Sequence, residues 1–435
     1  MIGDLRFTNK KKTIISLSLT LLVIGGLLAI ATFYDLQISK ILTKGSLKIG
    51  DYISSSGFAL FFEAVGASAL YIMLSIAGVI AFWYGARYSK NNVVKYIYAF
   101  VGAVMVIVGF FMTFKDIFSY VGEYIGANLT AVDVNNVLID DARDLAGSLY
   151  IELICVLMAV ISAIALIKAW KKVKKEDNDR YIWWAYAIVC TVVFYLIVHF
   201  VKSPAGRARY RTMNYLNDFD YYTPWYVMNG KRSMVDLVQK VLSHPLTESE
   251  QARYNFVSDA CKSFPSGHTF SAGMVYTLLA LPYLNEKFAK KNVRFALWAS
   301  CIAYTGIVAI SRIVAGAHFM SDVLVGGSIA FGGAMISREI FVCRGLHFKQ
   351  LFAKPVQETV LEEVAISENI ETTPETETVE TVDTVETVFE PVETVETDSV
   401  TVETDSETVE TIETVDTVET VETEQTTVDT DGTNE

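Results

Sequence analysis

Eight stretches of the chain are apolar for long enough to cross a bilayer, at roughly residues 13–33, 64–86, 94–114, 148–167, 181–201, 269–285, 295–310 and 319–341. A hydrocarbon core takes about 20 residues of helix. The pattern predicts an all-α fold, a polytopic membrane helix bundle of about eight transmembrane helices. The first run follows Lys10-Lys11-Lys12 and begins like a signal peptide, but no small-residue cleavage site follows, so it reads as a retained span. The seventh run is short and the sixth contains Pro282. No charge lies deep in the first three runs, and Glu152 is near an end of the fourth. Ionisable residues collect from residue 199 onward, where chemistry is to be sought.

Beyond the last run the pattern changes. From about Glu371 the chain repeats Glu-Thr-Val with small variations. A period of three matches neither strand nor helix, and the like charges repel, so the segment reads as a disordered, low-complexity tail. Domain organisation follows: residues 1–350 form the membrane domain and 356–435 the tail. The net charge of −13 hides this division. Residues 356–435 hold 26 of the 49 Asp and Glu and no base, which leaves 23 acids against 36 bases in the body, a net of +13.

Those bases set the orientation. With the N-terminus inside, the inner connections carry 21 Lys and Arg and the outer ones 15, nine of them in the single long segment 202–268. Positive charge stays on the cytoplasmic side, most clearly in short loops. Both termini are therefore expected in the cytoplasm. A hydrophobic content of 52% excludes an ordinary soluble globule. Five scattered cysteines exclude a disulfide framework or a zinc cluster.

Three polar clusters fall at outer ends of runs. The first is Lys202, Arg207, Arg209 and Arg211. Lys202 and Arg209 are seven apart, two helical turns, and can share a face. Together with Arg312 they suit a multiply charged anion, which guanidinium binds bidentately. Arg207 and Arg211 read equally well as membrane-boundary markers. The second cluster is Pro265-Ser266-Gly267-His268. It opens a helix whose first amides and serine hydroxyl point at an anion, with His268 beside it as a general acid; the plainer reading is a helix cap and an interfacial histidine. The third is Ser311-Arg312 with His318 and Asp322. The last two are four apart, so Asp322 can orient His318 as a nucleophile, or simply hold it. His268, His318 and Asp322 lack zinc spacing. His199, His244 and His347 fit no motif. Asn128-Leu129-Thr130 reads as a glycosylation sequon. Trp225 and the tyrosines Tyr221, Tyr222 and Tyr226 are expected at the site's entrance.

Taken together, Lys202-x6-Arg209, Pro265-Ser266-Gly267-His268 and Ser311-Arg312-x5-His318-x3-Asp322 resemble the type 2 phosphatidic acid phosphatase superfamily, the lipid and acid phosphatases related to vanadium haloperoxidases. The resemblance covers roughly residues 181–341. It implies that Lys202, Arg209 and Arg312, with Ser266 and Gly267, bind phosphate. It also implies that His318, oriented by Asp322, attacks phosphorus, and that His268 protonates the leaving group. No metal or other cofactor is called for. The implied partners are the bilayer and a lipid phosphate (phosphatidic acid, phosphatidylglycerol phosphate or a polyprenyl diphosphate), not nucleic acid, and the implied setting is the outer face of a bacterial plasma membrane. A phosphotransferase with the same site, or a non-catalytic anion transporter or scaffold, is the alternative. Two departures stand out. Tyr210 occupies the place of the family's proline, which puts the local backbone in doubt. The common membrane members have six spans, so two extra N-terminal spans are expected to pack outside the usual bundle.

Overall fold

In a computed structural model the described residues are 10–87, 91–129, 149–230, 260–347 and 349. The acidic tail, His244 and Thr130 of the sequon lie outside them. The described residues contain helices and no strand. In chain order the helices are α1 (Lys10–Thr43), α2 (Gly57–Val65), α3 (Ser68–Arg87), α4 (Asn92–Leu129), α5 (Leu149–Trp170), α6 (Lys175–Val193), α7 (Tyr195–Ala205), α8 (Tyr210–Leu216), α9 (Gly267–Gly273), α10 (Glu286–Ala289), α11 (Lys291–Val314) and α12 (Met320–Phe341).

Seven candidate spans are long and apolar enough to cross a membrane, with α2 and α3 forming one (Gly57–Arg87) and α6 to α8 another (Lys175–Leu216). The sixth expected run is different in kind. The seven residues of α9 pass into a ten-residue 3₁₀ helix, Met274–Tyr283, that contains Pro282. A 3₁₀ helix rises about 2.0 Å per residue against 1.5 Å for an α-helix. Seventeen residues therefore cover about 30 Å, the thickness of a hydrocarbon core. Tighter winding compensates for a short segment.

Large apolar side chains on α1, α4 and α5, among them Leu22, Phe33, Phe100 and Tyr150, face outward, as lipid-facing positions do. The inner core joins α3, α6, α7, α9, the 3₁₀ helix and α12 through Ile80, Ile188, Val198, Phe270, Met274 and Ala330. Between lipid-embedded helices hydrophobicity supplies little attraction, so close packing and hydrogen bonds hold the bundle. At the α3–α4 crossing, a Cβ on Gly78 would come 2.7 Å from the Gly102 carbonyl oxygen, and one on Gly102 would come 2.4 Å from the Phe82 nitrogen. Only glycine allows this approach. Trp83 and Trp184 donate from their indoles to the Ile167 and Thr277 carbonyls at 2.9 Å each. Such interhelical bonds contribute on the order of 1 kcal/mol each in a membrane.

The helices run past the apolar runs that announce them. α1 continues to Thr43, α2 begins at Gly57 and α4 reaches Leu129. No charge lies deep in the first three apolar runs, but Asp35, Glu63 and Asp116 lie on the same helical stretches just beyond the apolar limits. Polar helix ends persist here because they face one another instead of lipid. At the other end of α12, Glu339 accepts from the His347 amide at 2.7 Å and pairs with its Nδ1 at 2.8 Å. This explains one of the unassigned histidines as a lock on the helix end.

Candidate active site

The site is assembled by short helices and turns between the spans. α7 ends at Ala205 and Gly206 adopts φ +52°, turning the chain so that Lys202 and Arg209 flank the reversal. Arg209 is the N-cap of α8, and its amide is fixed by the Ala260 carbonyl at 2.8 Å. Tyr210 is therefore the first helical residue, the one helical position that suits proline, because its amide needs no helical partner. The missing proline costs no geometry here. Tyr210 instead packs its ring against Phe219 and Phe319.

Ser266 caps α9, accepting from the Thr269 amide at 3.3 Å and the Thr269 hydroxyl at 3.0 Å. Its own amide donates to the Asp322 carbonyl at 3.0 Å. This contact requires Gly326 on α12, where a Cβ would come 2.3 Å from the Ser266 carbonyl oxygen. The third cluster bends at Gly316, φ +66°. The Ala317 and His318 amides return to the Arg312 carbonyl at 3.1 and 3.3 Å, which sets His318 between α11 and α12.

These pieces meet at a cavity of about 250 Å³ lined by Lys202, Arg209, Arg211, Gly267, His268, Arg312 and His318, with Glu63, Tyr71, Asp116, Tyr120 and Tyr195 among the other walls. Of the residues expected at the site, Ser266 and Asp322 are not in the wall. Ser266 is the cap just described, and Asp322 lies behind His318. Arg312 is 1% exposed and donates from Nη2 to Glu63 at 2.6 Å, while its Nε and Nη1 are buried with no partner. The Nε2 of His268 is likewise buried and unpartnered. Buried polar atoms are almost always satisfied, so such a group needs an explanation. An anion in the cavity supplies one.

His318 is 2% exposed. Its Nδ1 lies 2.6 Å from the Ser263 carbonyl and 3.8 Å from Asp322 Oδ2. A backbone carbonyl can only accept, so Nδ1 carries the proton and Nε2 holds the lone pair. The immediate acceptor is Ser263, which the sequence did not single out, and Asp322 acts at longer range. Burial, with Arg209 and Lys202 nearby, lowers the His318 pKa to about 4 against the opposing influence of Asp322. The ring is neutral near pH 7, the form a nucleophile requires.

Several readings change at this point. Arg207 and Arg211 are not boundary markers. Arg207 is 1% exposed and bridges Asp322 and Asp35, while Arg211 lies 3.5 Å from Glu63 in the cavity wall. None of the loop aromatics Tyr221, Tyr222, Trp225 and Tyr226 lines the cavity. Trp225 bonds Thr32 and stacks near Phe264, and Tyr222 packs on Phe319. Tyr71, Tyr120 and Tyr195 line the cavity instead. The first two spans do not sit apart from the bundle: α1 brings Asp35 and α2 brings Glu63. For metals, Glu339, Cys343 and His347 place one ligand atom each within 4.8 Å of one another, about 25 Å along α12 from Asp322 at 1.5 Å per residue. Glu339 and His347 already satisfy each other there.

Residues 221–344 match the model of the PAP2 superfamily. That stretch takes in the second and third motifs, and the Lys202–Arg209 motif precedes it. Over 102 residues, 21% of this chain and 46% of the relative, the sequence is 38% identical to phosphatidylglycerophosphatase B of Bacillus subtilis. Over 204 residues, 45% of this chain and 68% of the relative, it is 24% identical to lipid A 1-phosphatase of Rhizobium etli. The chain thus spans about half the length of the first relative and about two thirds of the second. No solved structure matches it.

Proposed function

We propose that this chain, a relative of the PAP2 superfamily, is a membrane lipid phosphatase that hydrolyses a phosphomonoester or diphosphate at the outer membrane face without a metal, through a phosphohistidine. The supporting observation is the cationic cavity in which Arg312 and His268 hold buried, unpartnered nitrogens beside a neutral His318.

Lys202, Arg209 and Arg312 hold the phosphate, helped by the Gly267 amide, while Ser266, the cap of α9 behind the cavity wall, keeps the start of that helix in place. His318 Nε2 attacks phosphorus. The Nε2–P bond forms as the P–O bond to the leaving group breaks. Burial and the Arg312 guanidinium hold the His268 pKa well below the ordinary histidine value; the negative charge of the bound phosphate opposes both, so that His268 takes up a proton with the substrate and gives it to the departing oxygen. His268 then takes a proton from water as that water attacks phosphorus, the N–P bond breaks and inorganic phosphate leaves. The three cations supply the charge stabilisation that bound metal ions supply in many phosphoryl-transfer enzymes. Asp322 holds the His318 side of the site. The two relatives' names point to phosphatidylglycerol phosphate and the 1-phosphate of lipid A as the first substrates to try. The Lys and Arg distribution supports an extracytoplasmic site with both termini inside.

The test is phosphate release by the purified full chain in EDTA, wild type against His318→Ala, over a panel of lipid phosphates. The wild type is expected to turn over at least one lipid and the variant to lose on the order of 10⁴-fold or more in kcat. Equal rates, or failure to trap a phosphorylated wild-type enzyme by rapid acid-free quench, contradict the mechanism.

A further inference from the structure

Behind His318, Asp322 shares its buried position with a second acid and one base. Arg207 donates from Nη1 to Asp322 Oδ1 at 2.6 Å and from Nη2 to Asp35 Oδ2 at 3.0 Å. All three side chains are at most 1% exposed. Every contact on Asp35 comes from a donor: Arg207, the Ser321 amide at 2.9 Å and the Ser321 hydroxyl, whose oxygen in turn accepts from Arg207 at 2.8 Å. A carboxyl surrounded only by donors is ionised. Asp322 is in the same position, accepting from Arg207, from the Ser263 hydroxyl and from the Phe319 amide at 2.8 Å. The cluster therefore carries two negative charges against one positive. Without Asp35, Arg207 would cancel Asp322.

His318 needs that surplus. When Nε2 bonds to phosphorus while Nδ1 keeps its proton, the ring becomes positive. The charged and titratable groups that line the cavity in front of it are Lys202, Arg209, Arg211, Arg312, His268, Glu63 and Asp116, with Glu63 engaged by Arg312 and Arg211. Bases outnumber acids there, and among the described residues the acid paired with the His318 ring itself is Asp322 of the cluster behind it.

We propose that Asp35, on the first span, and Arg207 are positioning residues for the reaction. Arg207 fixes Asp322, and Asp35 restores the net negative charge that stabilises the phosphorylated His318 ring. The proposal rests on the phosphohistidine reading. It also gives α1 a task in catalysis that its apolar sequence does not suggest.

The experiment follows His318 by ¹⁵N-histidine NMR titration of the full chain in nanodiscs, beside kcat and KM for lipid phosphate. Asp35→Asn is expected to lower the His318 pKa by about one pH unit. It is expected to lower kcat on the order of tenfold, from loss of one charge at an effective dielectric near 20, with KM within about twofold. Asp35→Glu should stay near wild type. The double variant D35N/R207Q returns the cluster to one net negative charge, so its titration should return toward wild type, whereas a purely structural role makes it worse than D35N. An unchanged titration in folded D35N, an unchanged kcat, or a double variant displaced further than the single one overturns the proposal. If D35N alone does not fold, the double variant is compared directly with wild type, and a fall of one pH unit overturns it. Full turnover by His318→Ala would fell the phosphohistidine reading separately, while the NMR arm still reports the charge coupling.

Discussion

His318 separates two polar regions of opposite character. In front of it, the cavity gathers cations and leaves Arg312 Nε, Arg312 Nη1 and His268 Nε2 buried without partners. Behind it, Asp35, Arg207, Asp322, Ser321 and Ser263 satisfy one another. Both regions are largely out of water, where an unsatisfied group costs about 1–3 kcal/mol and a charged one more. A folded chain tolerates that cost where a ligand removes it. The satisfied region is therefore read as scaffold and electrostatic support, and the unsatisfied one as the place a phosphate enters.

Substitutions in front should accordingly show in binding or in the proton transfer, and their sizes sharpen the contrast. The largest is His268→Ala, expected to lower kcat about 10²–10⁴-fold. The loss should be greatest for alkyl leaving groups and small for p-nitrophenyl phosphate, whose leaving oxygen needs little protonation; an equal loss on both would remove His268 from the acid role. Next is Arg312→Gln, which deletes a charge-assisted contact worth about 1.5–3 kcal/mol. KM should rise roughly 10–100-fold with a smaller change in kcat, checked by steady-state kinetics and by inhibition with inorganic phosphate. Glu63→Gln acts in the opposite direction. It removes the carboxylate 2.6 Å from Arg312 Nη2, so inorganic phosphate should inhibit several-fold more strongly. Weaker inhibition would mean that Glu63 holds Arg312 in its working position and does not compete for it.

The smallest effect concerns pH. With its pKa lowered to about 4, His318 loses its lone pair to a proton only as the pH falls toward 4, not through the ordinary histidine value near 6.5. Measured in the His268→Ala background with p-nitrophenyl phosphate, so that protonation of the general acid drops out, and corrected for substrate ionisation, kcat/KM at pH 5.5 should stay within about twofold of its value at pH 7. An ordinary histidine would already have lost about tenfold. An acid limb centred near 6.5 would show that the dry setting of His318 does not govern the reaction.

Much of the front of the site was legible from sequence because its residues fall into short, spaced groups. Lys202 and Arg209, Gly267 and His268, and Arg312 and His318 reach one cavity wall as their motifs suggested. Asp35, Glu63 and Asp116 were not legible. Each lies one or two residues outside an apolar run, where a single charge looks like an ordinary membrane boundary. Arg207 was ambiguous for the same reason. Ser263 was out of reach altogether, since it acts through a backbone carbonyl that any residue would provide.

The sequence by itself determined the helical membrane class, the approximate span positions and three of the polar groups, because these follow from local hydrophobicity and from spacing along the chain. Only the tertiary structure decided which polar helix ends face lipid headgroups and which face each other. That choice joined Asp35 and Asp322 through a buried Arg207, brought Glu63 to Arg312 and wound Met274–Tyr283 as a 3₁₀ helix. Such pairings join residues up to 286 positions apart. Their stability depends on mutual desolvation, which has no signature in local sequence.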